Sequence, residues 1–110
     1  MITFDMIPFF PRRGGDGIQG LVVLNNGYTL SIVKGEYTYG GDKGLYEMAI
    51  FYEGDIVEEH PILEGTSGVV GWLDEKEVEE LIKQLRRYRP AGYKNKKSGF
   101  SAHEFVPLEK

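Results

Sequence analysis

The amino-acid sequence predicts an α+β fold, an antiparallel sheet of about four strands with one C-terminal α-helix packed on one face. Three observations carry that expectation. Leu21–Leu24 is an apolar run, followed by Asn25-Asn26-Gly27 and then by alternation at Tyr28, Leu30 and Ile32. Asn-Gly between two such runs is the strongest short cue for a tight antiparallel hairpin, because both positions tolerate positive φ. Leu45–Tyr52 is apolar at both sets of alternating positions, as expected of a central strand covered by a helix on one face and partly on the other. Val78, Leu81, Ile82 and Leu85 recur at helical spacing and make one apolar stripe.

The remaining elements follow in order. Between the hairpin and the central strand, Gly35–Gly44 combines close-set glycines, Tyr37 and Tyr39 at strand spacing, and turn chemistry in Asp42-Lys43-Gly44. Glu53-Gly54-Asp55 predicts another turn. Ile56 and Val57 begin a short fourth strand that tails off before Pro61, since proline fits an edge or a strand end. Val69–Leu73 leads into the helix, with Trp72 read as a core plug rather than a ligand platform. Asp74 is a good N-cap, Glu77 completes a capping box, and Leu73 with Val78 matches a hydrophobic staple. Pro90 and Gly92 stop a helix of about 74–88.

Residues 1–17 read as an apolar arm on a Gly-rich tether formed by Gly14, Gly15 and Gly17. The arm either folds back onto the core or docks on a partner or second subunit. Residues 18–89 form the α+β domain, and 90–110 a basic, partly ordered tail. In that tail Phe100, Phe105, Val106 and Leu108 offer a last strand or clamp, limited by Pro107. Asp5, Pro8 and Pro11 interrupt the opening apolar stretch, which argues against a signal peptide and for a cytoplasmic setting. No apolar run approaches the roughly 20 residues of a membrane span.

Catalytic chemistry is thinly represented. Cysteine is absent from the 110 residues, which removes disulfides, thiolate metal sites and cysteine nucleophiles. His60 and His103 are the only histidines. His103-Glu104 opens like a zinc-protease helix, but Pro107 stands where the second histidine belongs. Gly40–Gly44 is glycine-rich, yet it lacks the strand-to-helix context of a phosphate loop. The expectation is a non-enzymatic protein with no catalytic residue, metal or cofactor.

A net charge of −4 conceals a split: residues 36–80 carry −11 and residues 83–97 carry +7. Three readings compete. The acidic body presents carboxylates to a basic groove of another protein. Alternatively, the basic stretch touches a nucleic acid. The third is ordinary helix-dipole complementation, acids in the first turn and bases in the last.

Asn26-Gly27-Tyr28-x-Leu30-Ser31-x-Val33, Tyr39-Gly40, Gly44–Ile50, Pro61-Ile62 and Val70–Leu73 with Glu77-Val78 together resemble a pattern of small bacteriophage-encoded proteins of unassigned function. The resemblance covers roughly residues 25–85 and brings no catalytic residues with it. It implies a phage accessory protein, acting in the host cytoplasm on host or defence machinery as an inhibitor or anti-defence factor.

The expected partner-binding residues are Tyr37, Tyr39, Tyr46, Tyr52, Glu58, Glu59, Phe9 and Phe10, since surface tyrosines are typical interface anchors. The alternative is a nucleic-acid or nucleotide site built from Arg12, Arg13, Arg86, Arg87, Arg89, Lys94, Lys96 and Lys97. A homodimer is expected as well, because one helix leaves a sheet face and two edges open.

Overall fold

The computed structural model describes residues 2–14, 16–90 and 105–107. It is an α+β fold with one antiparallel sheet and a helix toward the C-terminal end, but the sheet has six strands rather than about four. The strands are β1 (Phe9–Pro11), β2 (Ile18–Val23), β3 (Tyr28–Lys34), β4 (Tyr46–Tyr52), β5 (Asp55–Val57) and β6 (Val70–Leu73). They run in the order β1-β2-β3-β4-β5, and β6 also pairs with β4. β5 takes the Ile50–Tyr52 end of β4 and β6 the Tyr46–Met48 end, so the two share one edge. The helix α1 (Glu75–Leu85) follows β6, and a separate ribbon joins β7 (Tyr88–Pro90) to β8 (Phe105–Pro107).

The even-numbered positions of β2–β4 form the core face. Gly20, Ile32, Met48 and Val70 lie in one cross-strand row, and Val22, Leu30, Ile50 and Val57 in the next. Val78, Ile82 and Leu85 of α1 are buried in the same cluster. The helix begins as its sequence dictates. The Glu77 amide donates to Asp74 Oδ1 at 2.7 Å, the Asp74 amide donates to Glu77 Oε1 at 2.9 Å, and Leu73 and Val78 are both buried.

Two boundaries differ from expectation. In the β2–β3 turn only Gly27 takes a positive φ, +100°, so Asn25-Asn26-Gly27 is a three-residue turn rather than a two-residue one. Asn26 is occupied elsewhere. Its Oδ1 accepts from the Tyr28 amide, and its Nδ2 donates to the carbonyls of Leu85 and Tyr88. That side chain closes the C-terminal end of α1, which therefore stops at Leu85 rather than at 88. Tyr88 leaves the helical stripe, and its ring meets His60 with centroids 5.0 Å apart.

Part of the N-terminal segment is built into the sheet. β1 pairs with β2 through Phe9↔Gly20 and Phe10↔Gln19. Phe4, Phe9 and Tyr46 pack ring against ring with centroids 5.0–5.7 Å apart, and Ile7 is buried. Gly20 makes this possible: a Cβ there would stand 2.8 Å from Ile7 Cγ2 and 3.0 Å from Phe9 Cε2. The Phe4 amide also donates to Glu79 Oε2 at 2.6 Å, tying the segment to α1.

His60 closes the bottom of the core. Its Nδ1 accepts from the Ile62 amide at 3.2 Å, and its ring stands edge-on between Tyr28 and Tyr88. Burial among these rings lowers its pKa from the usual 6.5 to about 4.

Two outcomes are expected. Gly20→Val overpacks the contact with Ile7 and Phe9 and destabilises the fold by about 1–3 kcal/mol in urea denaturation. His60 stays neutral in the folded chain where the unfolded chain takes up a proton. Its contribution to stability is therefore full above pH 6.5 and declines as pH falls from 6.5 toward 4. The unfolding constant should rise by up to about tenfold per pH unit in that window, and His60→Gln should flatten the dependence between pH 6.5 and 5.

Candidate protein-binding surface

The sheet face opposite α1 is set by the odd-numbered positions. Phe10, Gln19, Val33 and Glu47 form one row, Leu21, Ser31 and Ala49 the middle row, and Val23, Thr29, Phe51 and Ile56 the last. Phe10, Leu21, Val23 and Ile56 are exposed. Gln19 Nε2 donates to Ser31 Oγ at 2.8 Å across the centre, so the polar groups there are paired.

At the Glu47 end of this face the chain builds an aromatic stack. Leu73 pairs with Tyr46 and Val70 with Met48, so Gly71 and Trp72 stand opposite the single residue Glu47. This is a β-bulge, which re-aims a side chain. Trp72 sits at φ +54°, a region that costs a bulky residue about 1–3 kcal/mol. Its side chain is 56% exposed, and its ring lies parallel to that of Tyr39, with centroids 5.2 Å apart and planes 13° apart. Trp72 is therefore a surface platform and not a core plug.

The support beneath the stack is specific. The Trp72 amide donates to the Tyr39 carbonyl at 3.1 Å, and the Tyr39 amide donates to Glu47 Oε1 at 2.8 Å. Gly71 lies against the Tyr39 side chain, where a Cβ would overlap Tyr39 Cβ; at Gly40 a Cβ would stand 2.9 Å from Trp72 Cα. Tyr37, in the same loop, is 84% exposed.

The expected partner-binding residues therefore divide. Tyr37, Tyr39 and Phe10 are exposed aromatics. Glu58 and Glu59 are exposed beyond β5, with Glu58 beside Gly68. Tyr46 is buried, with Lys34 Nζ 4.8 Å from its ring centre, and Tyr52 packs against Tyr28. Both share the parity of Met48 and Ile50, so they face the core and not the open face. Phe9 packs on the core through Phe4 and Tyr46. Trp72 was missing from the expected set although the sequence signalled it: if Leu73 is the buried staple residue, its strand neighbour points the other way.

The basic set is not gathered. Arg12 and Arg13 follow β1 at the Lys34 end of β3, whereas Arg86 and Arg87 follow α1 at the Tyr28 end, where Asn26 binds Leu85. The length of β3, about 20 Å, separates them. Arg89 enters β7, and Lys94, Lys96, Lys97 and His103 lie outside the described residues. Arg86 and Arg87 border a cavity of about 410 Å³ with Lys76 and Lys83, but Glu79 and Glu80 line it too. In and after the Gly40–Gly44 loop the amides of Gly41, Lys43, Gly44 and Leu45 donate to the carbonyls of Thr38, Gly40 and Gly41, so these amides are not turned outward to cradle a phosphate. Among the described residues no group of three or more His, Asp or Glu is placed to hold a metal ion. No helix among them is long and apolar enough to cross a membrane.

No protein-family model, no curated protein and no solved structure matches this chain.

The stack has a direct readout, since Trp72 is the only tryptophan. Trp72→Gly removes the backbone strain together with the exposed indole. The variant should keep its stability or gain up to about 1 kcal/mol in thermal unfolding. Gly71→Ala should separate the rings and change the Trp72 fluorescence intensity while the far-UV circular dichroism stays that of the parent.

Proposed function

We propose that the protein is a non-enzymatic binding module that grips a protein partner through Trp72, Tyr39 and Tyr37. In keeping with the phage-like sequence pattern, the partner is a host or defence protein, and the chain acts on it in the cytoplasm as a phage accessory factor of inhibitor type. One observation carries this reading: an indole held in water at a strained backbone position by a stacked tyrosine and two close glycine contacts. Burying such a side chain is worth about 1.5–3 kcal/mol, and a domain of this size has little stability to spare. Strain and exposure together are what an interface anchor requires, because a partner's pocket recovers the burial on binding.

The charge around the stack indicates the partner's chemistry. Glu36, Asp42, Asp74, Glu75 and Glu77 are close in sequence to the two rings and are exposed, and Glu47 lies directly beneath Tyr39. A partner surface with a basic rim around an apolar pocket meets both features, and arginine stacks well on tryptophan.

The test is affinity capture from phage-host lysate with the parent chain and with Trp72→Ala and Tyr37→Ala/Tyr39→Ala variants. A protein retained by the parent and lost with both variants, while thermal unfolding of all three stays cooperative, supports the reading. Retention of the same protein by all three overturns it. A purified partner should also shift the Trp72 emission to shorter wavelength.

A further inference from the structure

The turn between β2 and β3 carries the only Asn-Gly dipeptide of the sequence, Asn26-Gly27, and the fold fixes both residues. Gly27 stands at φ +100°, where a Cβ would lie 2.6 Å from Tyr52 Cε1, so a larger residue is both strained and crowded there. Asn26 is half-buried and makes three bonds from one carboxamide. Its Oδ1 accepts from the Tyr28 amide at 3.2 Å, and its Nδ2 donates to the carbonyl of Leu85 at 2.9 Å and to that of Tyr88. Leu85 is the last residue of α1, where carbonyls have no partner within the helix. A carboxamide suits the place because it accepts and donates at once and carries no charge.

We propose that Asn26 is a self-modification site, at which the chain deamidates without an enzyme and loses this latch. The chemistry needs only the two residues and water. The Gly27 backbone nitrogen attacks Asn26 Cγ. The N–Cγ bond forms, the Cγ–Nδ2 bond breaks, and Nδ2 leaves as ammonia with the proton of the Gly27 amide. The cyclic imide then takes up one water. Opening at Cγ gives aspartate. Opening at the Asn26 main-chain carbonyl gives isoaspartate, which inserts an extra carbon into the backbone of the turn. Glycine favours the first step because no side chain shields its nitrogen.

The folded turn holds the reaction back. The Gly27 amide donates to the Leu24 carbonyl at 3.3 Å, and the three Asn26 bonds commit its carboxamide to Tyr28 and the end of α1. Attack requires the latch to open first, so opening sets the rate. After conversion the latch cannot close as before. The carboxylate still accepts from the Tyr28 amide, but it donates nothing to the Leu85 and Tyr88 carbonyls that it faces. It also adds a negative charge at the negative end of the helix dipole. The conversion is one-way, and it acts on the stability of the fold. The site lies at the Tyr52 end of β4, whereas the Trp72 stack lies at the Tyr46 end, so the inference does not rest on the partner reading.

The test is incubation of the full chain in mildly alkaline buffer, folded and in guanidinium chloride above its unfolding midpoint, read by peptide mass spectrometry. Conversion at Asn26 should run at least about tenfold faster in the unfolded chain. There it should also outpace Asn25 and Asn95, neither of which precedes a glycine. Asn26→Asp makes one product directly and should raise the unfolding constant on the order of 10- to 100-fold in chemical denaturation. Conversion at Asn26 that is as fast in the folded chain as in the unfolded one overturns the inference, because the latch then guards nothing. So does an unfolded chain in which Asn26 converts no faster than Asn25 or Asn95. An Asn26→Asp chain as stable as the parent overturns it as well. Failure of that variant to fold supports the loss of the latch, and the rates measured on the parent chain then decide.

Discussion

The two-for-one bulge at Gly71-Trp72 is the constraint on which the architecture turns. Val70 and Leu73 are three positions apart, an odd offset, so in a regular strand they would face opposite sides of the sheet. Placing both Gly71 and Trp72 opposite Glu47 lets Val70 and Leu73 both pack on the core. Leu73 buried is also the first half of the hydrophobic staple, and Asp74 next to it opens the capping box. The helix is thereby launched across the core face at a fixed angle, and its far end is received by Asn26 in the β2–β3 turn. The same bulge leaves Trp72 with nowhere to go but outward. Core closure and the exposed indole are consequences of one backbone irregularity.

The parts of this fold legible in the sequence are those governed by short-range chemistry. The hairpin, the central strand, the helix start and the α+β class each rest on neighbouring residues whose preferences agree. The missing strands are those whose pairing is set at a distance. β1 is three residues long and is bounded by Pro8 and Pro11, a composition that periodicity assigns to an arm; proline is nevertheless compatible with an edge strand. Its real signal is Gly20, a glycine inside an apolar strand, which marks a close approach by another segment. β6 was hidden because Val69–Leu73 reads as a helix lead-in, and a bulge breaks the alternation by which strands are found.

The candidate site follows the same division. Tyr37 and Tyr39 are exposed because their loop is closed by its own hydrogen bonds, with Thr38 bonded to Gly35 through both backbone and hydroxyl. Residue type and loop position together mark these two as exposed. Tyr46 and Tyr52 share the residue type, but parity with Met48 and Ile50 sends them inward. Tyrosine content says that amphipathic rings are present; only register says which side they take. Charge segregation was similarly over-readable. Of the 13 acids between Glu36 and Glu80, Glu75 and Glu77 stand in the first turn of α1 and Lys83 in its last; the helix dipole accounts for that share and not for the acids on the sheet and its loops.

The two exposed apolar features also bear on each other energetically. An open face and an unburied tryptophan both lower the stability of a single copy, and binding to either one favours the folded state by mass action. Phe10, Gln19, Val33 and Glu47 lead in one row to the bulge that carries Trp72, so whatever covers the open face also reaches the Trp72 stack, and the two apolar features belong to one surface.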